Sequence, residues 1–426
     1  MGLHMRQTES VLCSVLIQLT IIILSARCAN ALSRRIGQPG AVGEIVAGLL
    51  LGPSLFGYVA PDLSQFVFKS SAATPIAIIS QIGLILLMFQ IGSDFEFSHL
   101  GNARNRKIAI SIATVSVITP LLFGGFIGLI AAPTLARMID PFTFSLFVGV
   151  ALAITAVPIL GRILREYGLA QSEAGVIVIS AAALNDVAGW VLLAITAAYA
   201  SADLSVQTVG LQIGCIVVFT VALRLGGPSL ADWLLRTFPV SNSRLPSNLL
   251  AATIALLFVS GICTYLMGIF SIFGGFAAGL LFYRKHDFVE AWRHQVGHFV
   301  LVFFLPVFFT YTGLRTNVLG LTTPADWTWL SVLLVVAVLA KILPVYAVAR
   351  LFGFGEAEAS VMGVLMNTRA LMELIVLNIG FDLGFIPAPV FTMLVIVAVA
   401  TTVMTAPLLR IFLPRTGHVI PVGIEA

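Results

Sequence analysis

The stretch SAAALNDVAGWVLLAIT, residues 180–196, places Asn185 and Asp186 in the middle of an otherwise apolar run. No basic residue lies within a dozen positions of Asp186 on either side. A carboxylate at mid-membrane costs roughly 2.5–3.5 kcal/mol on insertion scales, so an aspartate there needs a reason.

Composition says that the surroundings are membrane. Hydrophobic residues make up 59% of the 426 and charged residues only 10%; the mean hydropathy is +1.05. Soluble domains carry about 25% charged residues, so this chain cannot cover itself with a polar surface. It reads as an all-α polytopic membrane protein. The net charge of +4 comes with no basic patch interleaved with aromatics, which excludes nucleic acid as a partner. Cys13, Cys28, Cys215 and Cys263 fall in apolar segments without metal-ligand spacing and read as small core residues.

Thirteen spans are expected: 11–32, 40–57, 75–93, 108–131, 143–163, 174–200, 207–225, 247–264, 269–283, 299–314, 328–349, 359–380 and 389–411. The second and ninth are short and glycine-rich. Residues 1–10 form an expected external tail, 11–411 the transmembrane domain and 412–426 a cytoplasmic tail. With loops assigned alternately, 16 basic residues fall on one side and 4 (Arg6, Lys69, Arg137, Arg315) on the other. Arg27, Lys341 and Arg369 lie within spans. The positive-inside rule then sets the N-terminus outside and the C-terminus in the cytoplasm of a multi-pass cell (inner) membrane protein. No GxxxxGK[ST] loop occurs, so neither a nucleotide motor nor a cofactor is expected. Transport would run on an ion gradient or on passive flow.

Within the spans, Arg27 and Glu44 sit near enough to ends to snorkel. Asp186 and Lys341 do not. Lys341 lies in LLVVAVLAKILPVYAVAR (333–350), again at mid-span. Two opposite charges at one depth are expected to pair, and at about 4 Å with an effective dielectric near 20 their attraction is of order 4 kcal/mol. Two spans also carry helix breakers at depth. One is FSLFVGVALAITAVPILGRIL (144–164), with Thr155 and Pro158; the other is SVMGVLMNTRALMELIVLNIG (360–380), with Asn367, Thr368, Arg369 and, one turn on, Glu373. They are spans five and twelve, an odd offset that runs them in opposite directions. That is the arithmetic of an inverted-topology repeat whose broken helices cross at a midplane site.

Three runs carry a specific resemblance: 155–194 (TAVPILGRIL…), 301–318 (LVFFLPVFFTYTGLRTNV) and 366–409 (MNTRALMELI…). They resemble the monovalent cation:proton antiporters, in the branch holding bacterial Na⁺/H⁺ and Kef-type K⁺ transporters and plant cation/H⁺ exchangers. The resemblance implies a Na⁺/H⁺ antiporter-like fold. Its core helices would span about 108–200 and 328–411, its dimerisation or scaffold helices about 11–93 and 207–314, in a homodimer. It implies an ion and proton site at Asp186, Asn185 and Thr155, with Asp186 meeting Na⁺ or K⁺, and with Lys341 as charge partner. Asn367, Thr368, Arg369 and Glu373 become polar groups of the second crossing helix. Proton and cation would compete for Asp186, and alternating access would turn competition into exchange. One carboxylate beside Asn185 makes that exchange electroneutral.

Two other readings compete. An organic-anion/sodium symporter on a related fold would use Arg369 and helix N-termini to hold a carboxylate; it would want a wider polar cavity. A non-exchanging channel or sensor would want a continuous polar lining, whereas the midplane polar residues here are few and clustered. An enzyme is not expected, since no histidine lies at depth to pair with a serine and no HExxH occurs.

Overall fold

A computed structural model describes residues 2–68, 73–94, 103–200, 206–241, 244–267 and 270–418. Apart from one isolated bridge between Ser241 and Arg244, the regular structure of these residues is helical. Ten helices are long and apolar enough to cross a bilayer, and two shorter apolar ones, Gly40–Leu50 and Ser271–Leu280, fall on the short glycine-rich segments. A further helix, Val206–Thr237, follows the 201–205 segment. The first helix begins at Gly2 and runs to Arg35, covering most of residues 1–10. Cys13 and Cys28 on it are exposed rather than in a core. Lys69 and residues 419–426, invoked for orientation and for the C-terminal tail, lie outside the described residues, as does the side chain of Cys215.

The chain divides into two compact units. The first holds Met1–Ile23, Asp62–Glu96 and Ser201–Tyr311. Within it Ala73–Ser93 packs against Ser271–Leu280 through bare glycine faces. A Cβ on Gly275 or Gly279 would come within 2.4 Å of the Ile85 carbonyl or 2.2 Å of the Phe89 carbonyl. Phe89, Phe282, Phe288 and Trp292 interlock beside that contact, with Phe89 and Trp292 ring centroids 4.4 Å apart.

The second unit holds Leu24–Pro61, Phe97–Ala200 and Thr312–Ala426. It contains two triplets of the same pattern: a long helix, a broken helix, a long helix. The first is Ala103–Leu135, the pair Pro141–Ala153 and Val157–Glu166, then Glu173–Ala200. The second is Pro324–Leu351, the pair Glu356–Met366 and Leu371–Asp382, then Ala388–Phe412. Caps start some of these helices. The Asp140 carboxylate accepts from the Thr143 N–H at 2.7 Å, which holds its carboxyl below the usual aspartate range. Thr323 and Asp326 form a reciprocal capping box.

Helix Ala103–Leu135 shows how sequence sets the packing. Ile112, Ser116, Pro120, Gly124, Gly128 and Ala132 recur every four residues and are buried. Ile118, Leu122, Phe126 and Ile130, offset by two, are exposed and present an apolar face suited to lipid. The glycines on the buried stripe let Pro141–Ala153 approach to backbone contact, the small-residue packing favoured where no hydrophobic drive separates helices from lipid. A Cβ on Gly149 would lie 2.6 Å from the Leu121 carbonyl oxygen, whereas one on Gly125 would meet nothing closer than 3.8 Å. Gly149→Val is therefore expected to lower the melting temperature of the detergent-purified protein, at an overpacking cost of about 1–3 kcal/mol, while Gly125→Ala leaves it unchanged. Equal effects of the two, read by size-exclusion chromatography after heating, would contradict this packing.

Candidate functional site

Both broken helices open at the place where their sequence turns against the helix. Pro141–Ala153 ends, and Ile154, Thr155 and Ala156 run extended before Val157 starts the second half. Pro158 has no N–H to offer the Ile154 carbonyl. In the partner helix, Asn367 to Ala370 interrupt the run, and Ala370 takes φ +41°, the one non-glycine residue with positive φ among those described. Such a backbone costs of order 1–3 kcal/mol and is held only where its surroundings over-determine it. Here the two breaks hold one another. The Ala156 N–H donates to the Thr368 carbonyl at 3.0 Å, and the Thr155 hydroxyl reaches the Met366 carbonyl at 3.3 Å. On the far side the Thr368 and Thr405 hydroxyls meet at 3.3 Å, and Asn367 turns its amide to the Met404 sulfur.

Breaking helices away from water leaves carbonyls without donors, and one side chain collects them. Lys341, fully buried, donates to the Ser116 carbonyl at 2.9 Å and to the Ala153 carbonyl. Both carbonyls are orphans for a visible reason. Ser116 lies four residues before Pro120 within its helix, and Ala153 is the last residue before the first break. The third acceptor is Asn185. Its carboxamide is satisfied with the oxygen accepting from Lys341 Nζ at 3.2 Å and Ser116 Oγ at 2.9 Å, beside Thr155 Oγ1 at 3.2 Å, and with Nδ2 donating to Ala153 at 3.1 Å. Three N–H donors of the ammonium thus face three neutral oxygens.

Asp186, beside Asn185, is different. It is 3% exposed and neither carboxylate oxygen has a hydrogen-bond partner. The Val157 N–H, first of its half-helix, is aimed at it at a looser geometry than a full hydrogen bond. A helix N-terminus favours negative charge. The expected direct ion pair between Asp186 and Lys341 does not form. The reason is that the ammonium is held by the backbone it caps and by Asn185, and acts on Asp186 only through space.

Arg369 and Glu373 face the lysine helix from the second crossing helix. The Arg369 guanidinium donates to the Ala337 carbonyl at 2.8 Å, one turn before Lys341, and lies 3.8 Å from Glu373. Both are fully buried, and neither Glu373 oxygen has a hydrogen-bond partner. Glu44, read as a snorkelling group, is instead 3% exposed. It accepts from Asn30 at 2.5 Å and pairs with Arg27 at 3.4 Å, both on the preceding helix. Ser116 escaped the sequence argument. Its signal was Pro120, which frees a carbonyl four residues upstream in an apolar helix.

Two helix triplets with broken middle helices, crossing beside a buried, unpartnered aspartate, define an inverted-repeat secondary transporter. Sequence comparison narrows the class. The family described as sodium/hydrogen exchanger, transmembrane, matches residues 20–413, and the chain belongs to it. Over 406 residues the chain is 34% identical to the Na⁺/H⁺ antiporter NhaS4 of Synechocystis sp., covering 95% of this chain and 98% of that one. Over 421 residues it is 30% identical to the K⁺/H⁺ antiporter 1 of Saccharomyces cerevisiae, covering 96% of this chain but 47% of that one. It spans about half the length of the plant cation/H⁺ antiporters it also matches. The fold is similar to the solved sodium proton antiporter MjNhaP1 of Methanocaldococcus jannaschii, with TM-score 0.64 at 15% identity, over 95% of this chain and 99% of that one.

The two buried charges should differ in what they do for stability. Lys341→Met keeps the bulk but leaves the Ser116 carbonyl without a donor and takes one of two donors from the Ala153 carbonyl; an unsatisfied buried acceptor costs about 1–3 kcal/mol, so the melting temperature should fall. Asp186→Asn removes a charge that no donor satisfies and should leave the melting temperature equal or higher. The opposite order in a thermal-shift measurement would contradict the hydrogen-bond assignment.

Proposed function

We propose that this chain exchanges a monovalent cation, Na⁺ or K⁺, for one proton across the membrane, with Asp186 as the carboxylate for which both compete. The observation that carries the reading is Asp186 itself: buried at the crossing of two broken helices, with two oxygens that no protein donor occupies. Ionised and buried, it needs a positive partner; a proton or a bare cation supplies one. Lys341 cannot fill that role by contact, since its donors are committed to Ser116, Ala153 and Asn185. Thr155 and Asn185 act here chiefly by holding the lysine and the break. The names of the relatives, Na⁺/H⁺ and K⁺/H⁺ antiporters, support both ions as substrates. A single exchanging carboxylate carries either one proton or one cation per passage, so the exchange is 1:1 and moves no net charge. The protein works as a homodimer in the cell (inner) membrane, with its N-terminus outside.

In proteoliposomes with an imposed pH gradient, adding Na⁺ or K⁺ should collapse the gradient. Asp186→Asn, recovered folded, should do so no faster than empty vesicles. At fixed ΔpH, rate and end point should ignore an imposed membrane potential. Normal exchange by Asp186→Asn would end the competition model. Separately, the 16-to-4 distribution of basic residues supports a C-terminus in the cytoplasm. A C-terminal reporter active only on the external side would refute that orientation.

A further inference from the structure

The second break is costly in two ways. Ala370 sits at φ +41°, ψ −109°, a backbone that glycine adopts freely and alanine does not. Across that residue Arg369 and Glu373 stand 3.8 Å apart, both fully buried and beyond hydrogen-bond reach of each other. The guanidinium Nε and Nη1 and both carboxylate oxygens have no hydrogen-bond partner. A buried ion pair offsets the cost of taking its charges out of water only where its hydrogen bonds are made. Between these two groups none is.

One movement removes both defects. Residues four apart face each other on a continuous helix, and a guanidinium meets a carboxylate as a fork. The Ala370 carbonyl already accepts from the Leu374 N–H at 2.9 Å, the first bond of helix Leu371–Asp382. Only the dihedrals of Ala370 keep Arg369 out of that helix. On its other side the guanidinium is held by Nη2, which donates to the neutral Ala337 carbonyl at 2.8 Å. Rewinding at Ala370 would also reach the first break. The Thr368 carbonyl, next to Arg369, accepts the Ala156 N–H at 3.0 Å, and the Thr155 hydroxyl reaches the Met366 carbonyl at 3.3 Å.

We propose that the second crossing helix has two arrangements, the strained one described above and one in which Ala370 is helical and Arg369 closes on Glu373, and that exchange passes through both. Alternating access needs a packed element with two discrete arrangements close in energy. The strain at Ala370 and the unmade bonds of the pair raise the first arrangement toward the second, so neither is a trap. Arg369 is a positioning residue: it acts on the two breaks and binds neither the cation nor the transported proton. The inference goes beyond the competition at Asp186 and does not depend on which carboxylate takes the cation.

Glycine at position 370 relieves the strained arrangement and weakens the helical one, so it favours the first on both counts. In proteoliposomes, Ala370→Gly should exchange Na⁺ or K⁺ for protons with kcat lowered about fivefold or more, the low end of what such a backbone is worth. The cation KM should not rise, because no group at Asp186 changes, and the melting temperature should not fall. Glu373→Gln removes the carboxylate that closure rewards and should also lower kcat without raising KM; Glu373→Met makes the same charge change should the carboxamide not be accepted. Unchanged turnover in Ala370→Gly makes the strain purely structural and overturns the inference. A lower kcat that comes with a higher KM or a lower melting temperature overturns it too, since glycine would then have damaged the site. Slow turnover in Ala370→Gly beside normal turnover in a folded Glu373 variant removes the closure on Glu373 and the role of Arg369 with it. An Asp186→Asn protein that still exchanged would end the competition model and leave this inference standing.

Discussion

Backbone polar groups inside a bilayer have no water to turn to, so each must find its partner in the protein. The second unit breaks two helices at depth and thereby creates carbonyls that its own helices cannot satisfy. The answer is a shared one. Each break supplies part of what the other lacks, through Ala156 and Thr368, and two long cationic side chains take carbonyls that the backbone leaves. Lys341 reaches Ser116 and Ala153, and Arg369 reaches Ala337. The small residues of helix Ala103–Leu135 then follow. Gly124 and Gly128 let Pro141–Ala153 lie against that helix, so the Ala153 carbonyl comes to the same lysine as the Ser116 carbonyl.

This constraint also explains why so few polar side chains suffice. An ammonium can hold three acceptors, and here it has three. Asn185 serves both as its third acceptor and as donor to Ala153, which joins Glu173–Ala200 to the first break. Asp186 is the residue left over. Its neighbour spends its amide on structure, and its own carboxylate faces a helix N-terminus without closing a bond. Lys341 and Asn185 beside it are satisfied, and its own two oxygens are not.

Much of this was legible in the sequence because charge in an apolar run is expensive and therefore visible. Asp186, Lys341, Thr155–Pro158 and Asn367–Glu373 stood out on cost alone, and the odd offset between the two broken spans gave the repeat. What could not be read was which partner each charge takes. Pairing Lys341 with Asp186 was the economical assumption for side chains. Its failure comes from backbone carbonyls, which carry no letter in the sequence. Only Pro120 hinted at the Ser116 carbonyl, and nothing local hinted at Ala337. Glu44 was misjudged for a related reason. It is buried against the first helix, where Asn30 donates to it and Arg27 pairs with it, and hydropathy does not reveal such partners.

The same hydrogen bonds separate exchange from its rivals. A symporter for an organic anion needs a cation free to meet the carboxylate of its substrate. Arg369 already has a buried carboxylate beside it, Glu373 at 3.8 Å, and the Lys341 donors are spent on three oxygens. An anion could recruit Lys341 only by stripping a buried acceptor of its donor, at about 1–3 kcal/mol, and would meet Arg369 only beside the Glu373 carboxylate. A channel needs a continuous polar path, whereas the polar groups here are few and clustered at the crossing, where Ala156 and Thr155 bond to the opposite break. A small cation meets neither difficulty. It asks for oxygen rather than for a donor, and the two Asp186 oxygens are free of donors at the point where the two breaks meet.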